Sequence, residues 1–279
     1  LLALKHQQIL RDDNGGGFAL IKTFVTSPLV TKIAKGFGVR CINTPTGFKW
    51  MAQKMLKYEE QAQTRIQEEE GIGLDFDSTE LFTRMDILSR YSTCTVLAAE
   101  ESYGYLPLDL VRDKDGNASS LAIAEAFAYM DSTGTNPLKF LDTIYQKYGY
   151  HQEKTENIYF EGAEGSTTIS KLVESYRKNP LKKVESFNVL KKKDFSEEGF
   201  IDEDEELLPK QNFIQISLDN DFSIAIRPSG TEPKIKYYLF GCAEPRSTDL
   251  EATKKAVSES LETIGAWLVD DAQQRVGKK

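Results

Sequence analysis

The chain has 279 residues, a formal net charge of −8, and 40% hydrophobic and 28% charged residues. That length suits about two globular domains, each large enough to bury a core without disulfide or metal staples. The acidic balance argues against a nucleic-acid partner, which asks for a basic face; no apolar run reaches the roughly 18 residues of a membrane span, and no signal peptide is visible. Three widely spaced cysteines, Cys41, Cys94 and Cys242, give neither a disulfide framework nor a zinc site. Each reads as a small buried apolar residue in a reducing, cytoplasmic compartment. The opening Leu1-Leu2-Ala3-Leu4 reads as an entry into the middle of a longer protein, inside a helix.

Strand and helix patterns alternate through the first half. Phe18 to Val25 is a strand. Ser27-Pro28 caps a short helix that stops at Gly36, and Val39 to Asn43 is a second strand. Met51, Met55, Tyr58, Ala62 and Ile66 recur at helical spacing, and Gly71 ends that long helix. Thr93 to Ala98 is a third strand. Helices follow over Ser119 to Met130 and Pro137 to Tyr148, the latter with an apolar stripe of Leu138, Leu141, Ile144 and Tyr148.

Near Gly149 the pattern changes to a polar, glycine-containing stretch that serves as the boundary. A short amphipathic helix carries Ile169, Leu172, Val173 and Tyr176. Strand-like runs follow at Val184 to Leu190, Phe213 to Leu218, Ser223 to Ile226 and Ile235 to Gly241. A closing helix opens on Thr248-Asp249-Leu250-Glu251, a capping-box pattern. The expected fold class is an α/β domain with a mainly parallel sheet and flanking helices (residues 1–149). A smaller α+β domain with an antiparallel sheet and two helices follows (residues 150–279). The acidic run Asp202 to Glu206 reads as a solvated loop.

Three loops of the first half follow strands, where open parallel sheets bind ligands. Thr46 and Gly47, ahead of Phe48-Lys49-Trp50, offer a hydroxyl, close backbone approach and helix N-terminal amides. Glu100 and Ser102, in Glu100-Glu101-Ser102-Tyr103-Gly104-Tyr105, suit hydrogen bonds to sugar hydroxyls. Lys114 lies in the mixed-charge turn Arg112-Asp113-Lys114-Asp115-Gly116. The strongest signal is Arg227-Pro228-Ser229-Gly230-Thr231-Glu232-Pro233-Lys234, between two strands. Arg227 can fork onto a phosphate. Ser229 and Thr231 add hydroxyls, Gly230 lets amides turn inward, and Lys234 adds a compact positive charge. His6 and His151 fall in no catalytic context, and Asp219-Asn220-Asp221 reads as a turn.

These four stretches, in this order, resemble the α-D-phosphohexomutase family of phosphoglucomutases and phosphomannomutases along nearly the whole chain. The resemblance makes Arg227, Ser229, Gly230, Thr231 and Lys234 the phosphate-binding loop of the fourth domain. It makes Thr46, Gly47, Glu100, Ser102 and Lys114 the sugar readers of the third. Tyr103 and Tyr105 depart from the Gly-Glu-x-Ser-Gly-His form of the bacterial aminosugar and mannose branch, and resemble the larger phosphoglucomutase-like enzymes. Glucose, mannose and pentose phosphates all remain open.

What the resemblance implies is a reversible phosphoryl shift between sugar 1-phosphate and 6-phosphate, through a phosphoserine and a bisphosphorylated sugar. Mg²⁺ and a hexose 1,6-bisphosphate activator serve the full-length enzyme. The family's serine loop and its Asp-x-Asp-x-Asp-Arg metal loop belong to the first two domains, and neither motif occurs here. Thr133-Gly134-Thr135-Asn136-Pro137 echoes the serine loop but lacks its serine and histidine. The expectation is therefore a C-terminal portion with no catalytic residue and no metal ligand, inactive alone. Its partners are a phosphorylated sugar and the N-terminal domains of the same chain. The alternatives are a phosphopentomutase or other phosphosugar mutase, and a non-catalytic phosphate-ligand-binding protein.

Overall fold

The computed structural model describes residue 1 and residues 17–107, 109, 111–162, 164–197, 199–230, 232–244 and 249–277. The Leu1-to-Leu4 helix, His6, Thr231 and Thr248 readings therefore lie, wholly or in part, outside the described residues. Contacts divide the chain into two compact units, one of Leu1–Pro137 with Asp202–Glu206, the other of Leu138–Ile201 with Leu207–Lys279.

The first unit holds a four-stranded sheet in the order β2-β1-β3-β4. Strands β1 (Phe18–Thr23), β2 (Arg40–Thr44) and β3 (Cys94–Glu100) run parallel, and β4 (Gly104–Pro107) adds an antiparallel edge to β3. All six residues of β1 are buried, as a strand flanked on both sides in a covered sheet must be. Helix α1 (Pro28–Gly36) starts as the sequence predicts, with Ser27 Oγ accepting from the Leu29 amide at 3.2 Å and Pro28 in the first turn. Helix α2 (Phe48–Glu70) buries Met51, Met55, Tyr58, Ala62 and Ile66 along one stripe, and Gly71 closes it at φ 67°. Helix α3 (Leu81–Tyr91) was not legible in advance, since its N-cap residue Glu80 makes no side-chain capping bond; it buries Met85, Ile87 and Leu88. Helix α4 (Gly116–Ser132) is capped by Asp115, whose Oδ1 accepts from the Ala118 amide at 2.9 Å.

The second unit begins at Leu138, within α5 (Pro137–Tyr148), which follows α4 after the stretch that echoes a serine loop. The expected apolar stripe of α5 is not buried. Leu138 is 76% exposed, and no residue of the helix is fully covered. The polar stretch after Gly149, expected as connecting chain, is a ten-residue strand, β5 (Tyr150–Tyr159). Its alternating polar residues face solvent, and antiparallel pairing with Lys234–Ala243 along its whole length holds it.

The antiparallel sheet runs β5-β12-β11-β10-β7-β6. It uses β6 (Lys183–Val184), β7 (Phe187–Asp194), β10 (Ile214–Leu218), β11 (Phe222–Pro228) and β12 (Lys234–Ala243). Asn220 and Asp221, at φ 56° and 60°, form the β10–β11 turn, matching the two left-handed positions of a type I′ hairpin. Asp219 accepts from the Asn188 side chain at 2.7 Å, so the Asp219-Asn220-Asp221 triplet is turn chemistry. Helices α6 (Gly165–Lys178) and α7 (Leu250–Arg275) share a core with this sheet through Leu172, Val173, Tyr176, Leu261, Ile264 and Leu268. A further short hairpin, β8 (Phe200–Ile201) and β9 (Leu207–Leu208), brackets the acidic run.

Candidate functional site

In the first unit the candidate residues gather at the carboxyl ends of the parallel strands. Glu100 is the last residue of β3 and is buried. A buried carboxylate needs a partner, and Lys114 Nζ supplies it through an ion pair with Glu100 Oε1. The same ammonium donates to the Ser102 carbonyl at 3.3 Å. It also lies 6.0 Å from the Phe48 ring centroid, in the first turn of α2. Glu100, Ser102 and Lys114 are thus one cluster, and Phe48 ties it to the Thr46–Gly47 loop.

Gly47 is the N-cap of α2 at φ 111°, a left-handed geometry that favours glycine, and Thr46 is half-buried beside it. Gly104 lies so close to the Glu100 side chain that any Cβ would collide with it. Between them Tyr103 takes φ 53° and is 99% exposed, an unusual state for a bulky residue. Ser102 Oγ donates to Glu101 Oε1 at 3.3 Å, and Thr23 Oγ1, at the end of β1, donates to Glu101 Oε2 at 3.0 Å.

Lys22 was missed as a contributor. It is buried at the end of β1 and donates to the Thr26 carbonyl at 3.1 Å. The available signal was a lysine inside the otherwise apolar run Phe18 to Val25. The mixed-charge turn is likewise more than a solvated loop, because Arg112 pairs with the buried Glu59 of α2 and Asp115 caps α4.

In the second unit Arg227 lies near the end of β11, opposite Lys236 of β12. The turn beyond it closes with the Ser229 amide donating to the Lys234 carbonyl at 2.9 Å. Gly230 is exposed, lies outside the left-handed region and has open space around it. Lys234 Nζ pairs with Glu232 Oε2 at 2.6 Å and stands 5.2 Å from the Tyr159 ring centroid. The hydrogen bond to Glu232 holds the Lys234 ammonium above its ordinary value. The arrangement supplies two cations, a hydroxyl and a turn, all within reach of solvent.

The acidic run Asp202–Glu206 corrects an expectation, because it is no solvated loop. Asp202 is buried, and Lys54 of α2 meets Asp202 at 2.6 Å, Asp204 at 2.9 Å and Glu206 at 3.0 Å. Asp204 also takes Arg40 at 2.6 Å and the Tyr58 hydroxyl at 2.5 Å. Burial alone would lower the Lys54 ammonium, yet its hydrogen bonds to the three carboxylates hold it raised. Burial likewise pushes the Asp204 carboxyl up, but the Tyr58 and Lys54 hydrogen bonds outweigh it and leave it lowered.

Residues 1–74 match the family model for the phosphoglucomutase/phosphomannomutase alpha/beta/alpha domain III. The phosphoglucomutase of Staphylococcus saprophyticus is 28% identical over 244 residues, covering 86% of this chain and 38% of the relative. A phosphoglucomutase of Staphylococcus aureus is 29% identical over 225 residues, covering 79% of this chain and 35% of the relative. The chain thus spans little more than a third of the length of the curated relatives it matches. Among solved structures, the open form of the exocytosis-sensitive phosphoprotein pp63/parafusin (a phosphoglucomutase) from Paramecium shares the fold. Its TM-score is 0.54 at 18% identity, over 94% of this chain and 38% of that one. Residues 1–74 thus match a phosphoglucomutase/phosphomannomutase domain, and most of the chain is similar to the C-terminal part of phosphoglucomutases. The resemblance read from its four loops is borne out at that level.

The described residues contain no group of three or more His, Cys, Asp or Glu side chains that could hold a metal ion. No such set among them fits the Mg²⁺ that the resemblance implies for the full-length enzyme. Among the described residues no helix is long and apolar enough to cross a membrane.

Proposed function

We propose that this chain is the sugar-reading and phosphate-holding part of a phosphohexomutase that interconverts sugar 1-phosphate and 6-phosphate. In this reading residues 1–149 read sugar hydroxyls and residues 150–279 hold the phosphate that is not reacting. The phosphoserine, the Mg²⁺ and the response to a hexose 1,6-bisphosphate belong to N-terminal domains of the full-length enzyme. The observation that carries the reading is the Glu100–Lys114–Ser102 cluster at the carboxyl end of β3. Lys114 occupies Glu100 Oε1, which orients the carboxylate and leaves its other oxygen to accept from a sugar hydroxyl. Ser102 adds a hydroxyl that can donate or accept as the sugar presents either end. Holding the substrate in this way can contribute several kcal/mol towards lowering the barrier.

The Arg227–Lys234 turn is the phosphate half of the proposal. A phosphate monoester carries roughly −1.5 to −2 charges at neutral pH. Arg227 can donate two parallel hydrogen bonds to it. Lys234 can exchange the exposed Glu232 for it, while Ser229 and Thr231 offer hydroxyls. Charge-assisted hydrogen bonds of this kind contribute about 1.5–3 kcal/mol each. A reducing, cytoplasmic setting belongs to the same reading, because three widely spaced cysteines offer no disulfide framework.

Isothermal titration with glucose 1-phosphate, on the wild type and on Arg227→Ala, tests the phosphate half. Arg227→Ala is expected to weaken binding at least tenfold, and equal affinities would count against the turn. A coupled mutase assay on the 279-residue chain is expected to show no turnover. The same assay on a full-length enzyme with glucose, mannose and ribose phosphates sorts the preferred sugar.

A further inference from the structure

We propose that Cys242 and His151 form a modification site at which a neutral hydroperoxide oxidises the cysteine to a sulfenic acid. The two residues are 91 positions apart in sequence and face each other directly across the β5–β12 pair. His151 is buried, with Nδ1 at 3.0 Å from the Gly149 carbonyl and Nε2 at 3.3 Å from Cys242 Sγ. A carbonyl oxygen only accepts, so Nδ1 carries the ring proton and Nε2 presents its lone pair to the thiol. The Cys242 S–H therefore donates to Nε2. A thiol held this way is a nucleophile with its base already in place.

Among the described residues the other two cysteines have no such histidine partner. Cys94 is buried, and desolvation pushes its thiol up to about 12. Cys41 is raised chiefly by burial, and its side chain meets Thr31 at 3.4 Å, a hydroxyl that cannot serve as a base at neutral pH. Cys242 is half-buried and lines an open cavity of about 480 Å³. Phe187, Phe222 and Val257 supply the apolar part of that cavity, and Asp221 and Glu244 are its acidic members. Those two carboxylates in the cavity lining disfavour anionic reagents, and a neutral, compact oxidant fits.

The step balances as thiol plus hydroperoxide giving sulfenic acid plus water, or plus the alcohol if the peroxide is organic. The Sγ proton passes to His151 Nε2 and the sulfur lone pair attacks the distal peroxide oxygen. The S–O bond forms as the O–O bond breaks. The sulfur loses two electrons, and the departing oxygen takes the proton back from Nε2. Cys242 is the only cysteine among residues 138–279, so no neighbouring thiol within the second unit converts the sulfenic acid into a disulfide. The product therefore persists until an external thiol meets it.

The test uses the intact chain. Dilute hydrogen peroxide is added in the presence of dimedone, and each cysteine-containing peptide is quantified by mass over time. Cys242 is expected to be labelled about tenfold or more faster than Cys41 and Cys94. His151→Gln, with an unchanged circular dichroism spectrum, is expected to lose about tenfold or more of that rate, on the scale of general-base assistance. Labelling of Cys41 as fast as Cys242 would overturn the proposal, and so would a His151→Gln protein that keeps the wild-type rate. If His151→Gln does not fold, the ranking of the three cysteines within the wild-type molecule decides alone.

Discussion

Lys54 and Lys234 are both lysines placed against carboxylates, and they are used in opposite ways. Lys54 is 4% exposed and is met by Asp202, Asp204 and Glu206. Three carboxylates of this chain surround its ammonium within 3.0 Å. Lys234 has one carboxylate partner, the exposed Glu232, and one aromatic ring beside it. A buried charge that is fully paired inside the fold has no capacity left for a ligand, whereas a surface pair exchanges its partner at small cost. Charge alone therefore does not mark a binding site. What marks it is a cation whose partner can leave.

That contrast can be broken most directly at Lys54. Lys54→Met leaves three carboxylates facing a methyl group, and removing one side of a buried ionic network costs about 3–5 kcal/mol. Urea unfolding should register a loss of that size, while glucose 1-phosphate binding to the folded fraction stays unchanged.

The pH dependence comes next in size. The folded Asp204 carboxyl lies below its ordinary value of 3.8. Its contribution is therefore fully present above the unfolded value and is lost as pH falls through the lower folded value. The stability gap between wild type and Asp204→Asn should be at its largest near neutral pH. It should shrink as the pH drops from about 4 towards about 2. A gap that grew on acidification would reverse the sign of the account.

Tyr103→Gly probes the proposed sugar loop instead of the clamp. Removing a side chain held in the left-handed region should relieve about 1 kcal/mol of strain, seen as a higher urea midpoint. Lys234→Met should change stability least, within about 0.5 kcal/mol, while still weakening glucose 1-phosphate binding.

The sequence made some of this legible and hid the rest for physical reasons. Strand β1 and helix α2 were readable because their burial is written locally, as a continuous apolar run and as a stripe at helical spacing. The Arg227–Lys234 turn and the Glu100–Ser102 loop stand out as candidates in the sequence because their polar groups are compressed into a few neighbouring residues. Strand β5 was hidden because its solvent face is polar and its stability comes from pairing with β12, far along the chain. The acidic clamp was hidden for the same reason, since Asp202 finds its cation some 150 residues earlier, at Lys54. The apolar residues of α5 misled in the other direction. A regular stripe predicted a buried face, yet Leu138 and Leu141 stay exposed in the described structure.

The most direct test of the central claim is an amide NMR titration of the chain with glucose 1-phosphate. Shifts are expected at residues 100–104 and at 227–234, with residues 54 and 202–206 unmoved. Perturbations confined to the Lys54 clamp, or spread evenly over the surface with none at Ser102 or Ser229, would contradict the assignment of these loops to sugar and phosphate.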